Sequence, residues 1–495
     1  MSLPMPVPDP PALVWYRNDL RLADQAALAA AVATGRPVLP VFVHDPDAAG
    51  PWAPGGASRW WLHHSLTALA DALAAAGAPL VLRRGNAAMV LATLARETGA
   101  DTVLAGIGLE PWARRQDAAV AAALAAQGVA LRRFRTASLL APEALRTGSG
   151  NGYAVYTPFA RAAAAAAAAL QPPRPPPVRI RAPTVLPASE PLAAWRLCPT
   201  APDWASGLRA AWTPGEAGAQ ARLARFLDHA LADYATLRDR VDHDATSALS
   251  PHLHFGEIST AQLWYAQLWH AQLWHAAAGA DGRGAEKFRA ELLWREFAQH
   301  QLRHHPDLPE QPLRPAFAAF PWRQDPSALA AWQRGRTGVP LVDAGMRQLW
   351  QTGWMHNRVR MVAASFLVKH LLIPWQAGQA WFWDTLVDAD LAANAASWQW
   401  VAGSGADAAP YFRVFNPVLQ GRKFDPEGRF VRRWIPELAG LETGFIHAPW
   451  EAPAAALRRA GVAPGKNYPA PIVDLAAGRA RALAAFAAIT ARGTA

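Results

Sequence analysis

Between residues 12 and 134 the chain repeats one order, a short apolar run followed by a helical stretch. Leu13–Tyr16, Pro37–Val43, Leu80–Arg83, Thr102–Ala105 and Ala130–Phe134 read as strands. Asp24–Thr34, Arg59–Ala76, Ala87–Thr98 and Pro111–Gln127 read as the helices between them. Continuous apolar strands alternating with helices argue for a parallel sheet covered on both faces. The expected fold over 12–140 is therefore an α/β domain with a parallel five-stranded sheet, Rossmann-like in kind.

This order stops at residue 141. Arg161–Leu170 is almost all Ala and should be helical on propensity. Pro172–Pro202 carries many prolines, each with a fixed φ and no N–H donor, and is expected to run as an extended connection. Residues 141–215 are read as an interdomain linker. From 216 to 480 an all-α domain is expected. Its candidate helices are Ala219–Asp233, Thr260–His275, Glu286–His304, Leu341–Thr352, Arg358–Leu372 and Gly378–Asp384. A five-residue repeat begins at Gln262, Gln267 and Gln272. Five residues turn a helix by about 140° net, so Trp264, Trp269 and Trp274 cannot share a face. We read it as a local duplication, and His270 and His275 as poorly placed to share a metal.

The chain has 495 residues, long enough for two or three domains. Its 48 Lys and Arg exceed 38 Asp and Glu, a net charge of +10 that suits a polyanionic partner or an ordinary basic surface. Cys198 is the only cysteine, which excludes an internal disulfide and a four-thiolate iron–sulfur cluster. Met1–Pro11 lacks the order of a signal peptide, and the apolar run Ala162–Ala169 is too short to span a bilayer. A monomeric cytoplasmic protein without a membrane partner is the expectation. The 23 Trp, most of them after Ser250, call for an explanation.

Common nucleotide motifs are absent: Gly106-Ile-Gly108 lacks the third glycine of the dinucleotide fingerprint, and there is no Walker A loop. Three other segments carry chemistry. Thr246-Ser247-Ala-Leu249-Ser250-Pro places hydroxyls and amides before a helix, as an anion site or a simple cap. Glu291, Trp294 and Arg295 share a helix face, lining a base pocket or forming an ion pair beside a core Trp. Trp354-Met-His-Asn357-Arg358-Val-Arg360-Met361 and Asp388-Ala-Asp390, with Asn394, Trp398 and Trp400, collect polar groups that are costly to bury without a ligand. A metal at Asp388 and Asp390 is not expected, because no nearby His or Glu completes a shell.

On these residues the chain resembles the DNA photolyase/cryptochrome family over nearly its whole length. The similarity includes Trp15–Leu22, Leu341–Leu438, Gln420–Pro426 and Tyr468–Asp474. The resemblance implies FAD buried in the helical domain. It places Tyr234, Thr246, Ser247, Leu249 and Ser250 at the phosphates. It places Arg295, Trp354, Asn357, Arg360, Asp388 and Asp390 around the ring, ribose and adenine, with Asn394 facing flavin N5. Glu291, Trp294, Asn357, Arg358, Met361 and Trp400 would receive a flipped pyrimidine dimer from damaged DNA. Trp398, Trp375 and Trp322 would carry electrons from the surface to the flavin, and Glu291 and Asn394 would take part in the reaction. The implied activity is light-driven dimer repair, a carbon–carbon lyase reaction. The alternatives are a blue-light photoreceptor and a (6-4) photolyase.

Within the family, Asn357 argues against (6-4) repair, while Trp294 and Trp400 argue for cyclobutane dimers. Trp381–Leu386 and Val431–Pro436 lean towards the branch related to plant cryptochromes. Ala248 and Ala395 replace more polar residues of many relatives. Glu110 matches a folate-contacting carboxylate, so methenyltetrahydrofolate is the expected antenna, with a deazaflavin or no antenna also open.

Overall fold

The computed structural model describes residues 9–266, 282–407 and 412–492. Five strands, β1 (Ala12–Tyr16), β2 (Val38–His44), β3 (Val81–Arg84), β4 (Thr102–Gly106) and β5 (Ala130–Phe134), form one parallel sheet in the order β3-β2-β1-β4-β5. The crossovers are α1 (Ala26–Val32), α2 (Gly56–Ala75), α3 (Ala87–Thr98) and α4 (Pro111–Ala125). Alternate residues of β1 enter different cores. Ala12, Val14 and Tyr16 join Trp60, Trp61 and Leu66 of α2, whereas Leu13 and Trp15 join Leu91 and Leu94 of α3 and Val120 of α4. Both faces are covered, which is why the strands read as unbroken apolar runs.

The connection beyond β5 carries α5 (Tyr156–Ala167) and α6 (Ser206–Ala211). The first of these starts five residues before the Ala-rich stretch that predicted it. The extended part between them lies along the α/β domain. Its contacts include Val38 N–H to Arg181 O at 2.7 Å, Ile180 N–H to Ala76 O at 2.7 Å and Glu190 N–H to Leu82 O at 2.9 Å. Trp195, Leu197 and Trp212 complete the core under α2, together with Val387 from beyond the linker.

The helical part contains α7 (Glu216–His229), α8 (Tyr234–Leu237), α9 (Ser250–His254), α10 (260–266), α11 (Arg283–His304), α12 (Pro326–Gln333) and α13 (Pro340–Thr352). It continues with α14 (Asn357–Ser365), α15 (Trp375–Thr385), α16 (Leu391–Ala402), α17 (Pro417–Phe424), α18 (Arg429–Trp434), α19 (Ala454–Arg459) and α20 (Leu475–Arg492). The repeated segment beyond Ala266, with Trp269, His270, Trp274 and His275, lies outside the described residues.

The continuous helix expected over Arg358–Leu372 is broken. After Ser365 the chain takes a π-helical turn, Phe366–His370, and Leu372 adopts a left-handed φ of 56°. The turn buries Lys369, whose Nζ donates to Ala402 O at 2.8 Å and faces the Phe412 ring. A buried ammonium needs such partners, and local sequence periodicity does not reveal them.

The two parts meet through buried and half-buried polar contacts. Arg21 is almost inaccessible, and its guanidinium donates to the carbonyls of Ala23, Asp24, Thr136 and Gly256, the last across the interface. Glu257 accepts from Trp61 Nε1 at 2.9 Å and from Gly215 N at 2.7 Å. Asp384 accepts from Gly56 N at 2.8 Å. No described helix is long and apolar enough to cross a membrane.

Candidate active site

The first turn of α14 organises the site. Gly353 ends α13 in a left-handed conformation, φ 66°, and its N–H closes on Leu349 O. Three residues later His356 caps α14: its Nδ1 accepts from Arg358 N at 3.1 Å. Burial pushes the His356 pKa down to about 4, so the ring stays neutral and keeps its acceptor. From this turn Arg360 points inward. Its Nη2 donates to Asp388 Oδ2 at 2.8 Å and its Nε to Met355 O at 2.7 Å. The guanidinium lies 6.0 Å from the Trp354 ring centre, and Trp354 Nε1 donates to Ser250 Oγ at 3.3 Å.

Asp388 is 8% exposed, yet among the described residues its Oδ1 has no partner, and the buried Nε2 of Gln379 likewise has none. Asn394 is beside them, donating from Nδ2 to the backbone oxygen of Gln379 at 3.2 Å. A bound molecule presenting both donors and acceptors would satisfy these groups, and the polar edge of a flavin ring does so. The residues therefore fit FAD. Asp390 divides its oxygens: Oδ1 caps α16 through Ala393 N at 2.8 Å, and Oδ2 lies 3.8 Å from Arg295. Thr246, Ser247 and Leu249 form the turn before α9, where Ala248 has a φ of 47° and Leu249 is buried. Tyr234 packs between Phe226 and Phe288.

Arg358, on the same turn, takes the opposite direction. Its Nη2 donates to Asp239 Oδ2 at 2.6 Å; Asp239 lies 3.9 Å from Arg238, which in turn pairs with Glu291. Asn357 is exposed, with Nδ2 4.0 Å from the sulfur of Met361. The residues predicted to share a face of α11 reach different neighbours. Glu291 meets Arg238, Trp294 stacks on Tyr156, and Arg295 donates to Ala137 O at 3.0 Å in the α/β part. Trp400 donates from Nε1 to Asp407 O at 3.1 Å. Sequence reasoning missed Tyr156, Arg238, Asp239, His356, Gln379 and Asp407. Only His356 had a local signal, as a polar residue before a helix start.

Trp398 and Trp375 are buried in one core, and the half-buried Trp322 packs against it. Gly378 of α15 makes room for Trp398, since a Cβ there would lie 2.1 Å from its ring. Trp322 meets Phe320 at 4.4 Å between ring centres. Glu110 lines a cavity between the sheet's carboxyl ends and α16, with Arg17, Thr136, His254, Arg295 and Asp390. Desolvation raises the Glu110 pKa.

Comparison with known proteins agrees with this arrangement. Residues 12–178 match the DNA photolyase profile, and residues 288–488 match that of the FAD binding domain of DNA photolyase. The chain is 52% identical over 479 residues to a deoxyribodipyrimidine photo-lyase of Agrobacterium fabrum, covering 97% of this chain and 98% of that one. It is 38% identical to cryptochrome-1 of Arabidopsis thaliana, covering 95% and 69% respectively. A crystal structure of a bacterial class III photolyase from Agrobacterium tumefaciens superposes with a TM-score of 0.92 at 51% identity, covering 99% of this chain and all of that one. With two family profiles and relatives matched over nearly the whole chain in agreement, the chain belongs to the DNA photolyase/cryptochrome family.

Proposed function

We infer that this protein is a deoxyribodipyrimidine photo-lyase that repairs cyclobutane pyrimidine dimers in DNA with FAD and light. The observation that carries this reading is the double use of α14: Arg360 meets Asp388 on the inner side, while Arg358 joins Asp239, Arg238 and Glu291 on the outer side. When bound, FAD supplies light absorption and electron donation to the dimer. Arg360, Asp388, Asn394 and Gln379 hold and orient its ring, and Trp354 with Ser250, Thr246, Ser247, Leu249 and Tyr234 closes the pocket around it. Asp390 and Arg295 belong to its ribose and adenine side.

A dimer inside duplex DNA must leave the stack to reach a buried cofactor, and a damaged pair lowers that cost. Trp294 and Trp400 offer flat apolar faces to the extruded bases, while Asn357, Arg358 and Met361 line the same mouth. Glu291 accepts from the base edge, and its ion pair with Arg238 keeps it aimed. Trp398, Trp375 and Trp322 provide an electron route from the surface that is separate from repair. We also assign Glu110 to an antenna chromophore, methenyltetrahydrofolate, because its carboxyl lines the interdomain cavity. The active form in this reading is a cytoplasmic monomer.

The test is loss of thymine dimers from an irradiated oligonucleotide under blue light with reductant, against a dark control. The expected outcome is light-dependent loss. Its absence with reduced FAD bound would exclude repair and leave the photoreceptor reading.

A further inference from the structure

We propose that Tyr156 is a positioning residue for lesion recognition, setting the Trp294 ring. The proposal rests on Trp294 being a wall of the dimer pocket. Tyr156 opens α5, in the connection between the two parts, and so comes from outside the helical domain. Its ring lies on Trp294 with centres 3.6 Å apart and planes 3° from parallel, the closest and most nearly parallel ring pair among the described residues.

Aromatic pairs prefer an offset or edge-on arrangement to a face-to-face sandwich. Something other than ring attraction must hold this one, and a hydrogen bond does. Tyr156 Oη donates to Ala290 O at 2.8 Å, one turn before Trp294 on α11. Tyr156 thus forms a clip on Trp294, hydrogen-bonded to α11 at one end and stacked on the Trp294 ring at the other.

The clip has a chemical consequence. Tyr156 covers one face of Trp294, leaving the other for a base, and removes ring freedom that would otherwise be lost on binding. Undamaged DNA, held mainly through phosphates, gains nothing from it.

The experiment uses the full chain with FAD and measures dark binding to a duplex containing one thymine dimer and to the same duplex undamaged. The variants are Tyr156→Phe, Tyr156→Leu, Trp294→Ala and the double variant Tyr156→Leu/Trp294→Ala. Tyr156→Leu should weaken dimer binding about tenfold, within the range of one base–aromatic stack, with undamaged-DNA affinity and FAD content unchanged. Tyr156→Phe, which keeps the ring but loses the Oη anchor, should show an intermediate loss. In the Trp294→Ala background Tyr156→Leu should add nothing. Wild-type dimer affinity in Tyr156→Leu, an equal fall for undamaged DNA, or additive losses in the double variant would each overturn the proposal. If Trp294→Ala itself left dimer affinity intact, the pocket reading would fail instead, which separates the two. If Tyr156→Leu does not fold, Tyr156→Ala takes its place in the same comparison.

Discussion

His356 links acidity to the helix that carries both halves of the site. Its ring is 4% exposed, and burial lowers its pKa from 6.5 to about 4. Between those values the unfolded chain binds a proton that the folded chain refuses, so stability rises with pH across the window and is lost as pH falls through it. The whole shift corresponds to about 3 kcal/mol at 1.36 kcal/mol per pH unit. At pH 5, where the unfolded imidazole is almost fully protonated and the native one is not, about 2 kcal/mol is already gone. Protonation also turns Nδ1 from acceptor to donor and removes the cap from Arg358 N, which places the first consequence at Arg358 and Arg360. Tm and urea midpoints measured at pH 7.5, 6 and 5 on wild type and on His356→Asn would read this directly. Asparagine can cap but does not titrate, so its stability should fall by about 2 kcal/mol less than wild type between pH 7.5 and pH 5. Equal slopes for the two proteins would refute the reasoning, since acid loss would then come from other groups.

Asp388→Ala leaves Arg360 without its carboxylate; purified protein should carry little FAD, read from its visible absorption, while Asp388→Asn should retain more. Trp322→Phe should slow photoreduction of oxidised FAD while sparing repair by enzyme reduced beforehand, and an equal fall in both would remove Trp322 from the electron route. Gly378→Ala forces a methyl against the Trp398 ring and the Leu367 side chain, 2.1 and 2.7 Å from the new atom, and should cost about 1–3 kcal/mol in unfolding experiments.

The α/β part was legible because its signals are local. Helix α3 begins after the capping Asn86 and ends at Gly99, φ 69°, and its ends match the sequence reading. Helix α16 gave no such signal: Leu391–Ala402 is apolar nearly all round, so it lacks an amphipathic period. Its residues were singled out by their chemistry, and then by family resemblance, before their helix was. At the site, spacing placed Glu291, Trp294 and Arg295 on one face but said nothing of partners far along the chain. Arg238 pairs with Glu291 across 53 positions, and Tyr156 reaches Ala290 across 134. Such contacts depend on how helices pack, which no window of sequence contains.

The extended connection also settles how the sheet avoids pairing with other molecules. At one side β3 would present unpaired amides and carbonyls, the usual start of edge-to-edge aggregation. The strap takes them up: Leu82 O accepts from Glu190 N, Leu82 N donates to Ser189 Oγ at 3.0 Å and Arg84 N to Glu190 Oε1 at 2.8 Å. At the other side β5 is largely exposed and carries Arg132 and Arg133, charges that a docking strand would have to desolvate. Proline-rich chain between domains is often regarded as spacer. Here it is a guard, and an α/β fragment cut before Ser189 would lose protection from self-association even with every strand intact.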